Sequence, residues 1–163
     1  MPFFEREVNK MACNRYKNRN YKSAIQFFNA TPQLLTATSL ATNPITVALG
    51  NKITDTGLAF DLSNNSIEVD YGGLYVIDAD VNIVGTVAGD VYFAIALNGV
   101  VLPETIRVIT TAANIYREIH TRTVRTLNVC NTLDQYNFTI VAWSDGTGTT
   151  TIERVAGNVI KLA

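Results

Sequence analysis

Residues 66–83 read SIEVDYGGLYVIDADVNI, and the parsing of this stretch decides the fold. Apolar and polar side chains alternate on both sides of Gly72-Gly73. A period of two places successive side chains on opposite faces of a β-strand. The glycine pair interrupts that period, so the segment predicts a strand over 66–70, a break, and a longer strand over 74–84. On the longer strand Tyr75, Ile77, Ala79, Val81 and Ile83 share one face, which predicts a half-buried strand. Asp78, Asp80 and Asn82 share the other.

Outward from this stretch the same period recurs. ITVAL (45–49), LAFDLS (58–63), DVYFAIAL (90–97), VVLPETIRVIT (100–110), HTRTVRTLNV (120–129), YNFTIVAW (136–143) and GNVIKLA (157–163) are rich in β-branched and aromatic residues. Gly, Asn and Asp punctuate them. Asn64-Asn65 reads as a turn, and Asn98-Gly99 is a strong hairpin signal, because a type I′ turn needs positive φ at both central residues. Pro103 cannot donate to a ladder, so an edge or bulge is expected there. SDGTGTTT (144–151) reads as a loop. Roughly nine strands without a long helix predict an all-β, antiparallel jelly-roll sandwich.

Of the 163 residues, 47% are hydrophobic and only 17% charged, below the usual quarter or so. A surface so poor in charge predicts that another copy or a partner covers part of it. The formal net charge of −1 carries no overall nucleic-acid footprint, and a nucleic-acid partner is not expected. The charge is unevenly spread, however. Residues 1–25 hold Arg6, Lys10, Arg15, Lys17, Arg19 and Lys22 against Glu5 and Glu7, a balance of +4, which leaves −5 for the rest. Residues 1–38 therefore read as a basic and aromatic anchoring arm, and 39–163 as the head. Phe3, Phe4, Arg15, Tyr16, Lys17, Arg19, Tyr21, Phe27 and Phe28 are the candidate partner-binding residues of the arm. Buried aromatic and cationic side chains are the usual anchors of interfaces.

Chemistry is sparse. His120 is the only histidine, and no Gly-x-Ser-x-Gly elbow supplies a nucleophile. It reads as an exposed or hydrogen-bonding strand residue. Asp78 and Asp80 lie side by side at a spacing of two, which suits an acid–base pair or a Ca²⁺ site. No third carboxylate is nearby in sequence, and a subunit-facing patch balanced by Arg122 or Arg125 is the favoured reading. DGTGTT (145–150) lacks the Lys-Ser/Thr and helix of a phosphate loop. Cys13 and Cys130 read as free thiols of a chain made in a reducing cytoplasm. The N-terminus has no signal-peptide pattern, and no apolar run is long enough to span a membrane as a helix. Neither an enzyme nor a cofactor or metal dependence is expected.

The order of these segments resembles the globular heads of the C1q and tumour-necrosis-factor superfamily. The resemblance lies in GGLYVIDADVNI (72–83), VYFAIALNGVVL (91–102), LNV (127–129), LDQYNFTIVAW (133–143) and GNVIKLA, with Leu133 where the family usually has Gly. It covers about residues 45–163 and implies a homotrimeric jelly roll, in a family where some members bind Ca²⁺ near the trimer axis. The stalk common before such heads is absent from this sequence. The same fold serves in bacteriophage head fibres, decoration proteins and tail tips. The expectation is a virion structural protein, made in the host cytoplasm, whose arm docks on capsid or other virion proteins. The alternative is a receptor-binding tip whose head loops meet a host-surface glycan, or an extracellular TNF/C1q-like ligand.

Overall fold

The computed structural model describes residues 22–35, 41–56, 60–128, 135–145 and 148–162. Strands are numbered in chain order. The long strand predicted after the glycine pair is β7 (Gly73–Gly85), and Tyr75, Ile77, Ala79, Val81 and Ile83 are all buried, as their shared phase requires. It lies between β11 (Tyr116–Leu127) and β13 (Thr150–Lys161). Beyond β13 come β1 (Ser23–Asn29) and β4 (Asn51–Thr56), while β2 (Gln33–Leu35) pairs with the start of β13. These six strands form the first sheet.

The second sheet runs β10 (Arg107–Thr111), β8 (Gly89–Leu97), β12 (Tyr136–Ser144), β6 (Ser66–Val69) and β5 (Phe60–Ser63). Two short strands join it, β3 (Ile45–Thr46) on β12 and β9 (Val100–Val101) on β8. Every ladder between named strands is antiparallel. The two inner faces enclose one core that includes Ile25, Phe27, Tyr75, Phe93, Ile95, Phe138 and Val159. The glycine break carries the chain from β6 in one sheet to β7 in the other. Across that step the Phe60 ring meets Tyr75 edge-on with centroids 5.8 Å apart. Both predicted turns have positive φ at their central residues: 49° and 60° at Asn64 and Asn65, 50° and 78° at Asn98 and Gly99. The Asn98 side chain also ties its turn to the neighbouring strand, accepting from the Asn137 amide at 2.9 Å.

Three expectations need correction. The arm does not extend to residue 38 as a separate unit. Ser23–Asn29 is an interior strand of the first sheet, paired with β13 on one side and β4 on the other. Its alternation was hidden because the buried set, Ser23, Ile25 and Phe27, begins with a serine and the partner strands are distant in sequence. Phe27 is 1% exposed and packs over Gly157, where any Cβ would run into its ring and the Asp78 carbonyl. It is a core residue, not a partner-binding one. The last strand begins at Thr150 rather than Gly157, since a bulge between Ile152 and Arg154 resets the phase. Pro103 opens a 3₁₀ turn (Pro103–Thr105) between β9 and β10 instead of sitting in a strand. There the buried Thr105 hydroxyl donates to the Leu102 carbonyl at 2.7 Å.

Two substitutions check these placements. Phe27→Ala opens a core cavity and is expected to cost about 3–5 kcal/mol in chemical denaturation, whereas an arm residue would cost nothing. Gly99→Val meets no steric obstacle at its Cβ. Its expected loss of roughly 1 kcal/mol or more therefore reports the positive φ alone. An unchanged melting temperature would move the turn elsewhere.

Candidate interaction surface

With one face of the first sheet committed to the core, the opposite phase of each strand forms its outer face. Register sets what meets there. Val124, Val76, Ile160 and Ala24 line up across β11, β7, β13 and β1 as an apolar band. Leu74 and Leu162 extend it, the Leu162 amide donating to the Leu74 carbonyl at 2.8 Å. Val76 is buried by these neighbours, but Val124 remains 52% exposed and Leu162 46%. The next two rows are Arg122–Asp78–Asn158–Gln26 and His120–Asp80–Ala156–Phe28. Glu118, Asn82 and Arg154 follow, then Tyr116 with Val84 and Thr151.

The polar rows are knit by charge. His120 Nδ1 lies 2.7 Å from Asp80 Oδ1, and its Nε2 3.6 Å from Asp78 Oδ1. Arg122 Nε stands 3.5 Å from that same Asp78 oxygen, and Arg154 3.8 Å from Glu118. Arg125 instead pairs with Glu104 at the other side of β11, so of the two arginines expected to balance the aspartates only Arg122 does. Asp78 Oδ1, Asn82 Oδ1 and Asn158 Oδ1 are shielded from solvent without a hydrogen-bond donor. Buried acceptors of this kind are costly and ordinarily find partners. Among the described residues no three His, Cys, Asp or Glu side chains gather as a metal-binding group.

The outer face of the second sheet is different. Tyr92 and Trp143 stack with parallel rings 5.3 Å apart over Ala94, Ala96, Val101 and Val141. The Tyr92 hydroxyl donates to Asp145 at 3.2 Å, which raises the phenol's pKa. At the far edge Asp61 and Glu68 oppose one another directly across β5 and β6. Partial burial, and then these two acids, raise the pKa of Asp70 above the usual carboxylate value.

Of the residues expected to bind a partner, only Phe27 and Phe28 lie within the described residues. Phe27 is in the core; Phe28, on the opposite phase, is 38% exposed on the outer face of the first sheet. Phe3, Phe4, Arg15, Tyr16, Lys17, Arg19 and Tyr21 lie outside the described residues, as do Cys13 and Cys130. The aspartate pair was legible in sequence. Its histidine partner was not, because residues forty apart meet only through the β7–β11 register.

No protein-family model matches the chain, and no curated protein matches its sequence. Solved structures match its fold. The globular domain of zebrafish complement 1qA protein superposes with a TM-score of 0.60 at 11% identity, covering 88% of this chain and 98% of that one. Murine APRIL superposes at 0.56 and 13% identity, covering 87% and 100%. PRD1 vertex protein P5, at 0.48 and 15% identity over 85% and 72%, is too weak a likeness to bear on function. The fold is a C1q/TNF-like jelly roll.

The acidic edge supports a prediction with a definite sign. The folded state raises the Asp70 pKa, so its ionised form is penalised at neutral pH, and the penalty disappears as pH falls below the unfolded value of 3.8. Asp70→Asn should raise the melting temperature at neutral pH, and the gain should shrink toward zero in thermal scans at about pH 3.

Proposed function

We propose that this chain is a non-enzymatic virion structural protein, a bacteriophage head fibre or capsid decoration protein. Its head is a homotrimer, and its N-terminal residues dock on capsid or other virion proteins. The observation that carries the reading is the apolar band Val124–Val76–Ile160–Ala24 with Leu74 and Leu162, on the side of the sheet that the core does not use. A two-sheet sandwich buries one face of each sheet, so an apolar second face calls for another copy. In a threefold ring that contact is heterologous: a face of one subunit meets a different surface of the next.

The docking half rests on the charge split. Residues 1–21 carry five bases (Arg6, Lys10, Arg15, Lys17, Arg19) against Glu5 and Glu7, with Phe3, Phe4, Tyr16 and Tyr21 among them. A partner with an acidic, apolar-lined surface is the complement of such a segment. The non-enzymatic reading is supported by where the chain's one histidine sits, in an ion-pair cluster on an open sheet face rather than in a cleft.

A second reading has one observation behind it. The Tyr92–Trp143 stack stands beside Asp90 and Asp145 at the end of the second sheet, next to the predicted 144–151 loop. Aromatic faces flanked by carboxylate acceptors suit a host-surface glycan, which makes the head a receptor-binding tip. Glycan-array binding by the head would favour it.

Light scattering on residues 22–163 is expected to give three chains, and a stable monomer at micromolar concentration would overturn the trimer. Co-sedimentation with particles lacking the protein should recover the full-length chain and lose the 22–163 fragment. Salt should weaken attachment without abolishing it, because screening acts on the Arg and Lys contacts and spares the Phe side chains. Full binding by the fragment would place the attachment surface on the jelly roll.

A further inference from the structure

The only histidine of the chain occupies the middle of the face just assigned to assembly. Two carboxylates bracket its imidazole, Asp80 at 2.7 Å from Nδ1 and Asp78 at 3.6 Å from Nε2. Arg122 shares Asp78 at 3.5 Å. The other charged groups facing this site are Glu118 from β11 and Arg154 from β13, 3.8 Å apart and mutually neutralising. Tyr116 lies two rows beyond His120 on β11, and Ala156 and Asn158 complete the β13 side. With a neutral imidazole, two aspartates against one arginine leave a single negative charge. With an imidazolium the cluster is neutral.

In the free chain water screens that residual charge, for the His120 side chain is 54% exposed. Under a covering subunit it does not. An unbalanced buried charge is expensive, and Asp78 Oδ1 is already sealed from solvent without a hydrogen bond. A proton on the imidazole makes both ring nitrogens donors, one toward each aspartate, and cancels the excess. We infer that covering the outer face of the first sheet binds a proton at His120, so that self-association of this protein is proton-linked and tightens on mild acidification. The inference rests on the reading that a second copy covers this face.

The sign follows from proton counting. The covered state holds more protons than the free chain, so association strengthens as pH falls through the range in which histidines change charge, between about pH 8 and pH 5.

Sedimentation equilibrium of the full chain at fixed ionic strength, from about pH 8 to about pH 5.5, tests this. The association constant should rise with falling pH, by up to about tenfold per pH unit for each proton bound. His120→Gln keeps a hydrogen-bonding side chain at a half-exposed position and should flatten the dependence. Asp80→Asn removes the excess charge without a proton, so its association near pH 8 should match that of the unsubstituted chain near pH 5.5. Calorimetry in buffers of different ionisation enthalpy should detect proton uptake on association of the unsubstituted chain and none in His120→Gln. Equal association at both ends of the range, or a slope that survives His120→Gln, overturns the proton link and leaves the trimer standing. Absence of oligomers at every pH overturns the covered face, and the proton link with it.

Discussion

The structure depends on the pairing of β7 between β11 and β13. That strand contributes five consecutive inward residues to the core, and its two ladders fix what faces outward on three strands at once. Because side chains alternate with a period of two, a one-residue slip on either side would carry the inner set to solvent. The core therefore enforces the register, and the register brings His120 to Asp80 and Arg122 to Asp78. The polar cluster is a consequence of hydrophobic burial on the opposite face.

The same constraint explains the start of the described chain. β13 needs a partner on its free edge, and β1 supplies it with Ile25 and Phe27 in the core. Gly157 leaves the space that the Phe27 ring occupies. β4 then covers β1 with a polar, largely exposed edge, in which Lys52 pairs with Asp55 at 2.8 Å. Charged, exposed residues on an edge strand discourage further pairing with other chains. In the proposed assembly the contact therefore falls on the face of the sheet rather than on its β4 edge.

The two outer faces divide the surface chemically. The first sheet presents an apolar band beside a nearly neutral ion-pair cluster. The second presents an aromatic stack beside Asp90 and Asp145, with Asp61, Glu68 and Asp70 at its far edge. Like charges opposed across a strand pair are unfavourable.

By itself the sequence determined what local chemistry controls. Period-two alternation marked β5, β6, β7, β8 and β12. The Asn-Asn and Asn-Gly pairs marked their turns, and the phase of Tyr75 to Ile83 marked the core. The aspartate pair was visible for the same reason, since two residues of one strand two apart must share a face. The polar strand β4 has no alternation of buried residues to read, and β1 had none that could be told from an aromatic arm. Only the tertiary structure decided that Phe27 is interior while Phe28 faces out, and that Arg122 rather than Arg125 balances Asp78. It alone placed the solitary histidine between two aspartates. Each of these outcomes depends on which distant strands become neighbours, and that is set by the closure of one core between two sheets.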